Sequence, residues 1–92
     1  MFIQVFSSKK LEKSLEAKAY TVSEEPLYLA ILIKPQPGIW DELMDQDTMF
    51  IKLREKKELE VRISQRIEVG ETSIFFVTSD DEKFREICGE LS

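Results

Sequence analysis

The most constraining feature of this sequence is a run of seven apolar residues, 27–33, between Pro26 and Pro35. Proline lacks a backbone N–H, so neither a helix nor a strand ladder continues cleanly through these two positions. Seven residues are too few to span a membrane, and the run lacks the one-sided pattern of a surface helix. The sequence therefore predicts a central strand that is buried on both of its faces.

The length and composition are those of one small domain covering residues 1–92. The chain is 42% hydrophobic, which is enough to build a core without a disulfide or a metal. It contains one cysteine, so no disulfide can form within the chain and a reducing compartment is expected. Residues 1–20 show no signal-peptide pattern, which predicts a soluble cytoplasmic protein, in the host cytoplasm if the source is viral.

The segment before the central run supports two interpretations. Three apolar residues spaced four apart, beginning at Leu11, predict a helix over residues 9–19, capped by Ser7 or Ser8. An alternation of apolar and polar residues that begins at Leu15 instead predicts a strand over residues 15–22. In that case a turn at 23–26 leads into the central strand.

The remaining elements follow from periodicity and from turn residues. Gln65 alone interrupts an otherwise regular alternation over residues 59–69, so a β-bulge is expected beside it. Ser79 and Glu82 have the spacing of a helix capping box, with Ser79 as the N-cap. The predicted elements are a strand at 2–6, a loop at 34–38, a two-turn helix at 39–46, strands at 48–54, 59–69 and 73–77 with a turn at 70–71, and a helix at 80–91.

The helix at 39–46 is predicted to be amphipathic, with Trp40 anchoring it in the core. Its apolar face contains Ile39, Trp40, Leu43 and Met44, and its solvent face contains Asp41, Glu42, Asp45 and Gln46.

The order β-α-β-α-β-β-β-α predicts the α+β class, with a mixed or antiparallel sheet of about five strands and helices packed on one face. Such a sheet has unpaired edges. In the strand at 2–6, Gln4 is the one polar residue. Because an apolar edge strand can pair with another chain, this edge predicts a dimer.

The residues needed for catalysis are missing from the sequence. It has no histidine, which is the usual general base and the commonest metal ligand. Cys88 falls on the apolar face of the last helix near its C-terminal end, where burial and the helix dipole would raise its pKa. The S-x-x-K spacing at residues 7–10 lacks its partner motifs, and Asp45-x-Asp47 falls short of a calcium loop. We expect no enzyme activity, no cofactor and no metal.

Basic residues around the hairpin at 50–66 support one binding hypothesis. With Phe50 nearby, this surface could stack a base and hold phosphates, as single-strand binding proteins do. Glutamates interleave with the basic side chains, and the net charge of the chain is -5, which disfavours this hypothesis. The basic residues are Lys52, Arg54, Lys56, Lys57, Arg62 and Arg66.

Two acidic segments support a second binding hypothesis. Residues 38–47 carry four acids and no base, and residues 72–92 carry five acids and two bases, whereas the rest of the chain is balanced. Carboxylates displayed on helices can dock into a basic groove of a partner protein. The candidate partner-binding residues are Asp41, Glu42, Asp45, Asp47, Asp80, Asp81, Glu82, Glu86 and Glu90.

In size, acidity and absence of catalytic residues, the chain resembles the small phage-type inhibitors that mimic DNA, of which anti-restriction proteins are one group. The resemblance rests on the two acidic segments and involves no specific motif. It implies a non-catalytic inhibitor that occupies the nucleic-acid-binding surface of a partner and does not itself bind nucleic acid. The alternatives are a single-stranded nucleic-acid-binding domain and a structural homodimeric adaptor.

Overall fold

The computed structural model describes residues 2–7, 10–35 and 40–91, and the chain forms a closed six-stranded barrel. Every strand pair in the barrel is antiparallel, and the strand order around it is β1-β2-β3-β6-β5-β4. The elements are β1 (Phe2–Ser7), β2 (Lys10–Glu24), β3 (Leu27–Ile33), α1 (Trp40–Asp45), β4 (Thr48–Lys52), β5 (Leu59–Val69), β6 (Thr72–Thr78) and α2 (Glu82–Leu91).

The predicted open α+β sheet of about five strands is therefore wrong. β1 pairs with β2 on one side and with β4 on the other, so the sheet closes on itself. Closure satisfies the backbone groups that an edge strand would leave unpaired. Closure also removes the unpaired edge of β1 from which a dimer was predicted.

The main cause of this error is β2, which is a 15-residue strand where a helix at 9–19 was predicted. Its register confirms the alternative interpretation: Ala17 and Ala19 are buried, whereas Lys18 and Tyr20 are exposed. A spacing of four is an even number, so residues spaced in this way share a face in a strand as well as in a helix. β2 pairs along its length with β1 and β3, and this tertiary pairing decides between the two patterns.

The central apolar run forms β3 as predicted, and the prediction that both of its faces are buried is confirmed in part. Leu29, Ile31 and Ile33 point into the barrel and are buried. Of the outward-pointing residues, Ala30 is buried, whereas Tyr28 and Leu32 are half-buried. A barrel is a sheet closed around its own interior, and the described helices do not lie over this part of its outer surface.

The meander of the last three strands is confirmed. Met49, Ile51 and Leu53 are buried, as are Phe75 and Val77. β5 and β6 are joined through Gly70 and Glu71, and Gly70 has a φ of 63°, a conformation that glycine adopts without strain.

The bulge predicted beside Gln65 is also confirmed, and it changes which face the second half of β5 presents. The register shifts between Ile63, which pairs with Val77, and Gln65, which pairs with Phe76. Ser64 is the extra residue. Beyond it, Ile67 and Val69 point outward and are exposed, although unbroken alternation would place them in the core.

The two helices lie at opposite ends of the barrel, so the prediction of helices packed on one face of a sheet is wrong. α1 precedes β4 and contributes Leu43 to the core. α2 follows β6 and buries Phe84, Ile87 and Cys88. The hydroxyl of Thr21 on β2 donates a hydrogen bond of 3.1 Å to the carbonyl of Cys88, which ties the end of α2 to the barrel.

The predicted capping box of α2 is wrong in its position. The side chain of Asp81, not Ser79, caps the helix, because its Oδ1 accepts the backbone N–H of Lys83 at 2.9 Å. The hydroxyl oxygen of Ser79 accepts the N–H of Asp81 at 3.1 Å, so Ser79 organises the turn that leads into the helix. Each of Ser79 and Asp81 can accept from an N–H two residues further on, and the sequence spacing does not separate them.

The predicted facing of the residues in helix α1 is confirmed only in part. Leu43 is buried and Met44 packs against the core, as expected. Glu42 is half-buried, although it was placed on the solvent face. Ile39 and the side chains of Trp40 and Asp41 lie outside the described residues. Neither α1 nor α2, the helices in the described part of the chain, is long and apolar enough to cross a membrane.

Candidate interaction surfaces

The acidic residues singled out in the sequence do not form one surface. Those from residues 38–47 lie at the α1 end of the barrel, and those from residues 72–92 lie at the α2 end. The barrel separates the two groups, so a continuous acidic face of nine carboxylates is not formed.

At the α1 end, Asp45 and Asp47 are exposed, but Glu42 has one carboxylate oxygen shielded from solvent. The backbone carbonyl of Asp47 accepts the N–H of Ile63 at 2.7 Å, which joins the loop after α1 to β5. The side chain of Asp41 lies outside the described residues. Asp45 and Asp47 are thus the described carboxylates that this end offers to a partner.

At the α2 end, all five predicted residues are exposed, but two of them contact basic side chains. Glu90 forms an ion pair of 3.2 Å with Lys56, and Asp80 lies 3.6 Å from Arg62. Asp81 is engaged in capping α2. Glu82 and Glu86 are one helical turn apart, which places their side chains on the same face of α2.

Of the six basic residues predicted to lie on the surface of the hairpin, Arg66 points into the barrel. Arg66 pairs with the inward-pointing Phe75, and its guanidinium lies 5.8 Å from the centre of that ring. It donates to the carbonyl of Leu43 at 3.3 Å and to the carbonyl of Gln46, so it fastens the C-terminal end of α1. Phe50 is half-buried opposite Glu60, which weakens the case for a stacking platform.

Cys88 has the core role that the sequence predicts. It is a free cysteine with 2% of its surface exposed. Burial raises the pKa of the Cys88 thiol, and the hydroxyl of Thr21 and the charge of Arg85 offset this rise only in part. A raised pKa is the opposite of what a thiolate nucleophile needs at neutral pH. No group of three or more candidate ligand residues that could hold a metal occurs among the described residues.

A surface that the sequence reasoning missed covers the outside of β2, β3, β6 and the second half of β5. Four of the five exposed large hydrophobic residues in the described chain lie there, the fifth being Phe2 on β1. We call it the apolar face, and it consists of Tyr20, Val22, Tyr28, Ala30, Leu32, Ile67, Val69, Ile74 and Phe76.

Strand register arranges the apolar face in two adjacent rows. The first row runs across four strands from Lys18 through Leu32 and Ile74 to Ile67. The second runs across the same strands from Tyr20 through Ala30 and Phe76 to Gln65. Outward side chains in such rows touch their cross-strand neighbours, so the apolar residues form one contiguous patch.

A groove of about 310 Å³ lies within the apolar face, beside the bulge. Its walls are mainly apolar, and Ser64 and Gln65 supply polar groups at one side. The lining residues are Val22, Tyr28, Ser64, Gln65, Ile67 and Phe76.

The bulge is the reason that the apolar face could not be recognised from the sequence. Regular alternation would put Ile67 and Val69 in the core and Arg66 on the surface, and the structure has the reverse. The sequence signal was Gln65 itself. A bulge there reverses the facing of every later residue of the strand, which turns Ile67 and Val69 outward.

No protein-family model, no curated protein and no solved structure matches this chain.

Proposed function

We propose that this protein is a non-catalytic interaction module that binds another protein through its apolar face. The observation that carries the proposal is that four of the five exposed large hydrophobic residues in the described chain lie on β2 and the second half of β5, where Val22 and Ile67 line one groove together with Tyr28 and Phe76. Contiguous apolar patches of a few hundred Å² are typical of protein-binding sites, because burying them on association releases water from apolar surface.

The groove beside the bulge indicates how the partner is held. Tyr28 and Phe76 provide aromatic walls, and Val22 and Ile67 provide aliphatic ones. A groove of about 310 Å³ accommodates one bulky apolar side chain of a partner protein. Ser64 and Gln65 can form hydrogen bonds with the backbone beside that side chain, which would fix its orientation.

The test uses N-acetyl-tryptophanamide as a probe of the groove. Titrating it into isotopically labelled protein, at the lowest concentration that gives spectra, should shift the amide resonances of Ser64, Gln65, Ile67 and Phe76 in a saturable manner. The substitution Ile67→Asp should abolish these shifts, because it places a charge in the wall of the groove.

Phe2→Asp is the matched control, since Phe2 is an exposed hydrophobic residue on β1 that does not line the groove. It should leave the titration unchanged. Shifts that do not saturate, or that centre on β1 and β4 instead of the groove, would contradict the proposed binding site.

DNA mimicry by the α2 end is a second candidate function. Asp80, Asp81, Glu82 and Glu86 are exposed together there, and the side chain of Asp80 retains 94% of its exposure despite its contact with Arg62. The α2 end alone would dock into the partner, because the other acidic residues lie at the opposite end of the barrel.

A competition assay separates this second candidate from the first. Purified DNA-binding enzymes with basic grooves are mixed with a labelled duplex and with this protein. A mimic displaces the duplex, and the charge reversals Glu82→Lys and Glu86→Lys slow its association, most strongly at low salt. Simultaneous binding of the duplex and this protein to each enzyme in the set would count against mimicry.

A further inference from the structure

We propose that a cavity between the β4–β5 loop and α2 binds a small organic carboxylate that has an apolar body. The cavity has a volume of about 210 Å³, and none of its described lining residues lines the groove of the apolar face. It contains three lysines, although the chain has a net charge of -5. The described lining residues are Lys56, Lys57, Leu59, Lys83, Glu86 and Ile87.

Hydrogen bonds and an ion pair position both walls of the cavity. In the β4–β5 loop, the backbone N–H of Lys56 donates to the carbonyl of Leu53 at 3.0 Å. The ammonium group of Lys56 lies 3.2 Å from the carboxylate of Glu90, which connects the loop to α2. On the helix side, the backbone N–H of Lys83 donates to Oδ1 of Asp81 at 2.9 Å. Because the backbone of both walls is already ordered, a ligand does not have to order it on binding.

Two ammonium groups of the cavity are available to an anion. Lys56 contacts Glu90, but Lys57 and Lys83 are exposed and form no ion pair with another residue in the described part of the chain. They belong to opposite walls, because Lys57 is in the loop and Lys83 is in the first turn of α2. A carboxylate has two oxygens and can accept hydrogen bonds from both lysines.

The charge balance of the cavity favours a ligand with one negative charge. Three lysines and Glu86 line it, and Glu90 contacts one of those lysines, so together these groups carry one positive charge in excess. A single carboxylate neutralises that excess. A phosphate monoester carries a charge of about −1.5 to −2 at pH 7, which would leave negative charge unbalanced beside Glu86.

The apolar residues and the size of the cavity indicate the body of the ligand. Leu59 and Ile87 are core residues that are 8% and 3% exposed, so they form an apolar floor. Ligand sites commonly have volumes of about 300–1,000 Å³, and this cavity, at about 210 Å³, is smaller. It therefore fits one aromatic ring or a short branched chain, packed on the floor with its carboxylate between the lysines.

Benzoate is the probe that tests this inference, in a titration of isotopically labelled protein at pH 7 and constant ionic strength. It should shift the amide resonances of Lys57, Leu59 and Ile87 in a saturable manner. Benzyl alcohol has the ring without the charge, and acetate has the charge without the ring. Each of them should bind at least about fivefold more weakly than benzoate, because each lacks one of the two interactions. Inorganic phosphate should also bind more weakly than benzoate.

Charge variants identify the groups that hold the carboxylate. Lys57→Gln and Lys83→Gln should each raise the dissociation constant of benzoate about two- to fivefold, the effect of losing one exposed charge pair. Glu86→Gln should lower that constant, because it removes a negative charge from the wall of the cavity. Lys18→Gln is the matched control, since Lys18 is an exposed lysine on β2 that does not line the cavity. These variants should all fold, because the four side chains are exposed.

Saturable binding of benzoate that Lys83→Gln weakens and Glu86→Gln strengthens supports the inference. Shifts that do not saturate, or a dissociation constant that Lys18→Gln raises as much as Lys83→Gln, overturn it. Equal binding of benzyl alcohol would show that the lysines do not hold the ligand, and tighter binding of phosphate would show a site for dianions. Either result also overturns the inference. The titration with N-acetyl-tryptophanamide is read from a different surface, so the proposed function and this inference succeed or fail separately.

Discussion

The two halves of β5 lie in the same barrel and the same strand, but they present opposite chemistry to solvent. Before the bulge, the outward residues are Glu60 and Arg62, which are exposed and charged. After it, the outward residues include Ile67 and Val69. The first half continues a charged surface that reaches the turn before α2 through the contact of Arg62 with Asp80, and the second half completes the apolar face.

The difference shows that one inserted residue can give the two halves of one strand opposite outer surfaces. Arg62 and Arg66 are four residues apart and would share a face in a regular strand. Because Ser64 is inserted between them, they point in opposite directions. Arg62 is exposed, whereas Arg66 points inward and donates to the carbonyls at the end of α1. The charged half is solvated, and the apolar half is the part of the strand to which the proposed partner would bind.

The largest expected difference in stability is between an inward and an outward position on β6, which the adjacent residues Phe75 and Phe76 provide. Phe75→Ala should destabilise the protein by about 3–5 kcal/mol, because Phe75 is fully buried in the barrel. Phe76→Ala should cost about 1 kcal/mol, since Phe76 is half-buried on the apolar face. Urea unfolding at low protein concentration measures both, and equal losses would refute the assigned facing of β6.

The next test contrasts the two arginines on either side of the bulge. Arg66→Met should destabilise the protein by about 2 kcal/mol, because it removes charge-assisted hydrogen bonds to the carbonyls of Leu43 and Gln46. Arg62→Met should change stability by about 0.5 kcal/mol or less, as expected for an exposed pair with Asp80. Thermal melts monitored by circular dichroism measure both losses of stability. A larger loss for Arg62→Met than for Arg66→Met would mean that the bulge is assigned to the wrong place in β5.

A smaller contrast separates structural carboxylates from those that are available to a partner at the α2 end. Asp81→Ala should cost about 1 kcal/mol through loss of the helix cap. Asp80→Ala should have no effect beyond about 0.5 kcal/mol. Ser79→Ala should fall between the two, since its hydroxyl accepts one N–H of the turn. Denaturant melts measure these losses of stability. A larger loss for Ser79→Ala than for Asp81→Ala would support Ser79 as the N-cap, as the sequence predicts.

The smallest effect concerns the ion pair between Lys56 and Glu90, which joins the β4–β5 loop to α2. Both side chains are nearly half exposed, so Glu90→Gln should destabilise the protein by about 0.5 kcal/mol or less at low salt. Unfolding measured at about 1 M salt should no longer distinguish the variant from the wild type, because exposed charges are screened there. A large loss that salt does not reduce would mean that the pair is part of the core.

The sequence alone determined the elements whose periodicity is local. The central strand, the meander from β4 to β6, the bulge beside Gln65 and the core face of α2 were all predicted from residue patterns. Each of them depends on the spacing of apolar residues within one segment, and that spacing has a single structural interpretation in those segments. The inward positions of Met49, Ile51 and Leu53 follow directly from it.

Tertiary structure decided what local spacing leaves open. Residues 10–24 satisfy a helical and a strand pattern at once, and pairing with β1 and β3 selected the strand. That choice supplied a sixth strand and allowed the sheet to close, which moved the helices to the ends of the barrel. The apolar face exists because the register on both sides of Ser64 is held by pairing with β6, so its residues come together only in the folded chain.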